Sequence, residues 1–458
     1  MKGTVLQKIV DDKMVYLVER KARQPLSSFQ SQIQPSQRSF YTALQAKRPV
    51  FILECKKASP SKGLIRENFD PAEIASIYAP YASAISVLTD EKYFQGNMEY
   101  LTIVSNTVAQ PVLCKDFIVD PYQIYLARYY QADAILLMLS VLSDEQYILL
   151  ADVAHQLNMG VLTEVSNEDE LQRAITLKSK VVGINNRDLR DLSIDLNRTR
   201  QLAPQLSAET IVISESGIHQ HQHIQALKDV ANGFLIGSAL MEQTDLQQAL
   251  RNLLVGEHKV CGLTREQDAK SAFDAGAMFG GLIFAEQSPR KVTLSQAKQI
   301  IHSAPLHYVG VFRNQSVDFV AHIAQQLALH AVQLHGNEDN PYIEQLRQLL
   351  PTHCQIWKAV NMSQAQLAEY DTPLIDILLL DNGAGGTGET FDWSSIPKHS
   401  QHKLMIAGGL TPENCQHAAQ LVCNGLDFNS GVEVEPGIKS EQKINQVFTS
   451  LKSARSVS

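Results

Sequence analysis

From Pro49 to Gly63 the chain reads P-V-F-I-L-E-C-K-K-A-S-P-S-K-G and turns from apolar to ionic within a few residues. Val50 to Leu53 form a run too short for a helix and suited to a buried strand. Glu54, Lys56 and Lys57 then precede a Ser/Pro/Gly loop. Unpaired charge is costly to bury, so ionic residues at the end of a core strand point to a site there. A strand that merely surfaces into a solvated turn would read the same from this stretch alone. The transition recurs, however, at Lys115 and Asp116, at Glu164, at Asn185 and Arg187, and at Ser214-Glu215-Ser216-Gly217. Two lysines and several glutamates around one mouth can divide acid and base work, because neighbouring charges push proton affinities apart. Small residues at Ser216-Gly217 and Gly237-Ser238 suit an anion held by backbone N–H groups at a short helix N-terminus.

A second set begins at K-V-C-G-L-T-R, which places Cys261 at a strand end, and L-L-L-D-N-G places Asp381 at another. A lone cysteine on a strand is usually a small buried hydrophobe. A thiolate facing a carboxyl across a barrel mouth, though, makes a base and acid pair. The loop from Gly383 to Gly388 fits G-x-G-x-x-G, but it leads into E-T-F-D-W rather than a packed helix. No acidic residue follows at the dinucleotide spacing, so that reading is set aside. Backbone donors for a phosphate fit better, from Gly385 and Gly386 together with Gly408-Gly409 and Ser430-Gly431. His335 in Q-L-H-G sits at a strand end and either lines this site or packs. His219, His221 and His223 in I-H-Q-H-Q-H invite a metal reading, yet on a helix only the first and last share a face. No metal site is expected.

The elements that would carry these residues follow one rhythm. Leu6, Ile9, Val10 and Leu17 mark an N-terminal helical face, Gln24 to Gln37 a loop, and Phe40 to Ala46 a second helix. Apolar runs then recur at Phe51–Leu53, Ala84–Leu88, Pro111–Cys114, Ala134–Leu139, Val161–Leu162, Val181–Ile184, Ile211–Ile213 and Phe234–Ile236. Helix-start signals separate them: Asp70-Pro71 with Glu73, Asp120-Pro121, and Ser143 with Gln146. The count breaks over Arg251 to His258 and restarts at Lys259–Leu263, Phe279–Phe284, Tyr308–Phe312, Val332–Leu334, Ile356–Val360, Ile377–Leu380, Leu404–Ile406 and Leu426–Phe428. Thr411-Pro412-Glu413 reads as one more cap with a helix-opening proline. Eight strand-helix units, twice, predict an α/β chain of two tandem (β/α)8 TIM barrels. The domains would be residues 1–255 and 256–458, with a helical extension preceding the first barrel.

The chain's 458 residues, 44% hydrophobic and 19% charged, can bury two large cores. A net charge of −8 without a polybasic run argues against nucleic acid as partner. The N-terminal segment carries charges throughout and no signal-peptide core, and no apolar stretch reaches the length of a membrane span. Six cysteines without a Cys-x-x-Cys pair fit free thiols in a reducing cytoplasm.

The motifs E-C-K-K-A-S-P-S-K-G, V-L-C-K-D-F, T-E-V, I-N-N-R-D-L, S-E-S-G-I and I-G-S-A together resemble indole-3-glycerol-phosphate synthase. The resemblance implies ring closure, decarboxylation and dehydration of 1-(2-carboxyphenylamino)-1-deoxyribulose 5-phosphate. It makes Lys115 the general acid on the ketone and Glu164 an acid/base in the dehydration. Lys56 would contact the phosphate or the developing hydroxyl, oriented by Glu54 and Asn185. Arg187 would face the departing carboxylate, Ser59, Glu215 and Ser216 would line the site, and Gly217, Gly237 and Ser238 would hold the phosphate. Which lysine donates which proton stays open. The motifs K-V-C-G-L-T, S-P-R, V-G-V-F, Q-L-H-G, L-D-N-G-A-G-G-T-G, A-G-G-L and D-F-N-S-G-V-E resemble phosphoribosylanthranilate isomerase. That implies an Amadori rearrangement of N-(5-phosphoribosyl)anthranilate, with Cys261 as general base, Asp381 as general acid and Arg290 on the anthranilate carboxylate. Together the halves resemble the fused bifunctional enzyme of bacterial tryptophan biosynthesis, in which the isomerase's product is the synthase's substrate. No metal, nucleotide or flavin is implied, the partners are small phosphorylated anthranilate sugars, and a monomer is expected. Two rivals are a synthase carrying a degenerate second barrel and a pair of barrels acting on the phosphorylated amino-sugars of histidine biosynthesis. Intact Cys261, Arg290 and Asp381 speak against the first, and E-C-K-K-A-S-P-S-K-G against the second.

Overall fold

The computed structural model describes residues 5–45, 49–188, 192–363, 370, 372–383, 390–397, 400–421 and 423–452. They form two compact units, one ending at Leu250 and the other beginning at Arg251. Each unit holds a closed, all-parallel eight-stranded barrel.

In the first unit the strands are β1 (Val50–Cys55), β2 (Ala84–Leu88), β3 (Val112–Lys115), β4 (Ala134–Met138), β5 (Gly160–Val165), β6 (Val181–Asn185), β7 (Ile211–Glu215) and β8 (Gly233–Ile236). β1 closes the ring by pairing with both β2 and β8. Helix α1 (Val5–Arg23) precedes the barrel and buries Leu6, Ile9 and Leu17 as the helical period requires, with Lys13 on the same face; Val10 is only half-buried. Two 3-10 turns occupy the expected loop, Leu26–Ser28 and Gln30–Gln32. Helix α2 (Phe40–Leu44) seats Phe40 against the bare backbone of Gly160 at the start of β5, where a Cβ would come within 2.6 Å of the Phe40 Cβ. It closes the end of the barrel where the strands begin.

The capping signals of the first barrel hold. The Asp70 carboxylate accepts from Ala72 N and Glu73 N, and Asp120 with Gln123 and Ser143 with Gln146 form reciprocal capping boxes.

The second barrel comprises β9 (Lys259–Val260), β10 (Phe279–Ile283), β11 (His307–Phe312), β12 (Ala331–Leu334), β13 (Gln355–Asn361), β14 (Ile377–Asp381), β15 (Lys403–Ile406) and β16 (Gly425–Phe428). β9 is shorter than the Lys259–Leu263 run suggested. Gly262 adopts φ +69°, which breaks the strand just past Cys261, and an added Cβ there would lie 2.8 Å from the Arg290 Cδ and the Asn429 Oδ1. The Thr411-Pro412 signal also differs: regular helix begins only at Cys415, because Thr411 and Asn414 close a turn in which Thr411 N donates to Asn414 Oδ1 at 2.8 Å. Inside the barrel Phe279 meets Trp357 edge to face at 4.9 Å, within a core that includes Val309, Ile377, Leu379 and Met405. In both units the strands end on the same side of the barrel, so the ionic residues at their C-terminal ends gather around one mouth.

Candidate active sites

At the mouth of the first barrel, Lys115 at the end of β3 is the hub. Its Nζ lies 3.0 Å from Glu215 Oε2, 3.7 Å from Glu54 Oε2 and 3.9 Å from Glu164 Oε2. These three carboxylates come from the ends of β7, β1 and β5. Burial alone would lower the proton affinity of the ammonium, but the charges on Glu215, Glu54 and Glu164 outweigh it and raise it. For Glu164 burial acts the other way, and the result is again a more tightly held proton. Burial first, then the Glu215 charge, lifts its carboxyl to about 8, against the pull of Lys115. At neutral pH the mouth therefore holds a firm ammonium and, beside it, a carboxylic acid.

Lys56 forms an ion pair with Glu54 Oε1 at 2.7 Å. Glu54, though buried, is held below the usual carboxylate range by Lys56 and Lys115. The expectation that Asn185 helps orient Lys56 is corrected by geometry: its Nδ2 donates to Glu164 Oε1 at 3.1 Å, and its Oδ1 accepts from Arg187 N at 3.0 Å. Arg187 lines the same cavity and donates to the Leu192 carbonyl at 3.1 Å. Ser59, Ser216, Gly217, Gly237 and Ser238 also line it. Ser216 and Gly217 are both left-handed, at φ +64° and +81°. Gly237 is bare where an added Cβ would lie 2.3 Å from Glu54 Oε1.

Helix α1 also takes part, though the sequence marked its apolar face only as packing. Val5, Leu6 and Ile9 of α1 line the cavity. α1 is pinned by Lys13, whose Nζ lies 2.6 Å from Asp90 Oδ2 and 2.8 Å from Asp116 Oδ1. Asp116 thus turns from its neighbour Lys115 toward the helix. The only signal for Lys13 was a charge on an otherwise apolar helical face. In the histidine run His219 N donates to His223 Nδ1 at 3.2 Å, while His221 Nε2 meets Gln225.

The second cavity is lined by Cys261, Arg290, His335, Asp381, Gly408, Gly409, Ser430 and Gly431. Gly385 and Gly386 lie outside the described residues. The Cys261 sulfur rests over Gly281, where a Cβ would come within 2.6 Å of it. Burial raises the thiol's proton affinity and the Lys259 ammonium opposes that rise. Asp381 Oδ2 lies 3.2 Å from His335 Nε2, and its Oδ1 accepts from Asn382 N at 2.7 Å. Arg290 is gripped by Glu433 through two parallel bonds, Nε to Oε1 at 2.9 Å and Nη2 to Oε2 at 2.7 Å, and Lys439 shares Glu433 Oε1 at 2.7 Å. That grip uses two of five guanidinium N–H donors.

Lys259 is fully buried, 2.7 Å from Asp427 Oδ2 and 2.9 Å from Gln333 Oε1. Glu338 takes Asn314 N and Gly336 N, each at 2.8 Å, and pairs with Lys358 at 2.9 Å, fixing the loops beside His335. Lys259, Gln333 and Asp427 had a visible signal: each is a polar residue inside an apolar strand run.

Comparison with known proteins agrees with this division. Residues 6–253 match the family model for indole-3-glycerol phosphate synthase, and residues 258–450 match that for N-(5'-phosphoribosyl)anthranilate (PRA) isomerase. The tryptophan biosynthesis protein TrpCF of Salmonella typhi is 61% identical, covering 98% of this chain and 99% of that protein. Its counterpart in Vibrio cholerae is 60% identical over 98% of this chain and 96% of that protein. Among solved structures, the phosphoribosyl anthranilate isomerase of Thermus thermophilus is 32% identical, covers 43% of this chain and 100% of its own, and gives a TM-score of 0.41. The chain belongs to the tryptophan-biosynthesis family in which an indole-3-glycerol phosphate synthase barrel is followed, in one polypeptide, by an N-(5'-phosphoribosyl)anthranilate isomerase barrel.

Proposed function

We propose that the two mouths carry out consecutive reactions with the residues gathered there. In the second barrel Asp381 gives a proton to the ribose ring oxygen of N-(5'-phosphoribosyl)anthranilate and opens the ring to an iminium ion, the N–H staying on nitrogen. Cys261, as thiolate, removes the proton at the sugar C2, and the resulting enolamine settles to the ketone. The neighbouring Lys259 ammonium supports the thiolate against burial. Arg290 takes the anthranilate carboxylate with the donors that Glu433 leaves, and Gly408, Gly409, Ser430 and Gly431 take the phosphate. Gly385 and Gly386 are assigned to the same phosphate by sequence.

The product, 1-(2-carboxyphenylamino)-1-deoxyribulose 5-phosphate, is the substrate of the first barrel. Lys115 protonates the ketone oxygen as the aromatic carbon bearing the carboxylate attacks, and carbon dioxide leaves past Arg187. Glu164 then protonates the departing hydroxyl, which leaves as water, and loss of a ring proton gives indole-3-glycerol phosphate. Lys56, oriented by Glu54, holds the phosphate or that hydroxyl. Ser59, Glu215 and Ser216 line the substrate, and Gly217, Gly237 and Ser238 take its phosphate.

The observation that carries this reading is the pairing of Lys115 with Glu164, two groups whose surroundings keep both protonated at neutral pH, as two successive proton donations require. No cofactor takes part in either sequence of steps. Domain limits near residue 255, a monomeric state and a cytoplasmic location complete the proposal. Six free cysteines suit a reducing compartment, and among the described residues no helix is long and apolar enough to cross a membrane.

The test is direct. Purified protein is assayed separately with each substrate, then as Cys261→Ala and Asp381→Asn. Both variants should lose isomerisation while ring closure of supplied intermediate stays near the unmodified level. If either substitution suppressed both reactions in a folded chain, the two-site reading would be wrong.

A further inference from the structure

Within the second barrel one polar chain runs from the base side of the cavity to the acid side, and its polarity is set at one end. Lys259 Nζ sits 2.9 Å from the Gln333 side chain. An ammonium has three donors and no acceptor, so only the amide oxygen can face it. The Gln333 amino group is thereby turned toward His335 Nδ1, 3.0 Å away. An amino group is a donor, so Nδ1 must accept, and the ring proton is left on Nε2, which lies 3.2 Å from Asp381 Oδ2. Reversing the Gln333 amide would set its hydrogens against the ammonium, which Asp427 Oδ2 holds in place at 2.7 Å. Gln333 and Lys259 are both buried, so water does not relieve that conflict.

We propose that Gln333, oriented by Lys259, is a positioning residue for the isomerase: it locks His335 in the Nε2–H tautomer, so that the imidazole donates to Asp381 and cannot draw off its proton. The consequence is chemical. With the opposite tautomer, Nε2 would be a bare acceptor beside Asp381 and would compete with the substrate's ring oxygen for the acid's proton. With Nε2–H in place, a carboxyl that accepts from His335 on one oxygen and from Asn382 N on the other keeps a lone-pair site for a proton directed at substrate. The Glu338 cluster that fixes the loops beside His335 supports this alignment. The mechanistic part rests on the reading of Asp381 as the acid; the tautomer itself does not.

The test uses the full chain labelled with 15N in its histidine rings. The chain has 14 histidines, so the His335 signal is identified by its loss in His335→Gln. The long-range 15N–1H pattern should show the proton on Nε2; a proton on Nδ1 would overturn the proposal with no variant at Gln333 needed. Gln333→Glu then offers an acceptor to both Lys259 and His335 and should move the proton to Nδ1. Isomerase kcat should fall roughly 10–100-fold, the range typical of a lost orienting partner, with KM little changed. Ring closure from supplied intermediate should stay as before. A moved proton with unchanged isomerase kcat would overturn the positioning role. Undiminished isomerisation in Asp381→Asn would instead remove the acid reading and leave the tautomer standing.

Discussion

Lys115 Nζ reaches across the first barrel to Glu215 Oε2 at 3.0 Å, and the other oxygen of that carboxylate lies over the backbone of Gly183 on β6, where no Cβ intervenes. The hub of the synthase site thus depends on a residue with no side chain as much as on the charged ones.

Gly183→Ala should expose that dependence. The added Cβ would fall 1.9 Å from Glu215 Oε1, so the carboxylate must leave its place beside Lys115. Overpacking of this kind costs about 1–3 kcal/mol of stability. Ring closure should drop sharply while isomerisation by the same molecule is unchanged. Steady-state assays of both activities would detect the split, and equal loss of both would contradict it.

Lys115→Met keeps the aliphatic stem and removes the proton. As a general acid, Lys115 should contribute on the order of 10²–10⁴-fold in rate. A folded variant retaining near-normal ring closure would take the role from Lys115.

The acid beside it sets a pH limit. Glu164 is raised to about 8 from an ordinary 4.5, so the folded chain holds this proton more tightly than the unfolded chain. Its contribution to stability is full below about 4.5 and is lost as pH rises through about 8. Likewise the synthase kcat/KM should fall on an alkaline limb near 8, as the Glu164 carboxyl gives up its proton. Glu164→Gln should lower activity and abolish that limb. An unchanged profile in the variant would sink the assignment.

Lys13 offers a separate check on α1. Its removal as Lys13→Met leaves Asp90 and Asp116 buried without their cation. Breaking a buried pair by removing one partner typically costs about 3–5 kcal/mol. Because Leu6 and Ile9 line the cavity, the KM for ring closure should rise as well. Denaturant titration and kinetics would report the two effects, and wild-type stability would show the triad to be idle.

Cutting the chain between Val255 and Gly256 should yield an N-terminal piece that closes the indole ring and a C-terminal piece that only isomerises. Each barrel completes its own hydrogen-bond ladder without a strand from the other, which is what independent folding requires. Loss of either activity from its folded fragment would show that the halves depend on one another.

The amino-acid sequence by itself determined both barrels and most of their mouths. Apolar runs such as Ala134–Leu139, recurring between helix-opening signals such as Asp120-Pro121, suit buried strands, and a run that ends in Lys115 or Glu164 announces a charge the core cannot absorb. Partner choice was another matter. Period two tells which face of a strand a residue occupies, not which of seven other strands its side chain meets. So the bond from Asn185 to Glu164, the reach of Lys13 from α1 to Asp116, and the Lys259–Gln333–His335 chain that orders the isomerase's proton were decided only when barrel closure brought distant strand ends within hydrogen-bond range.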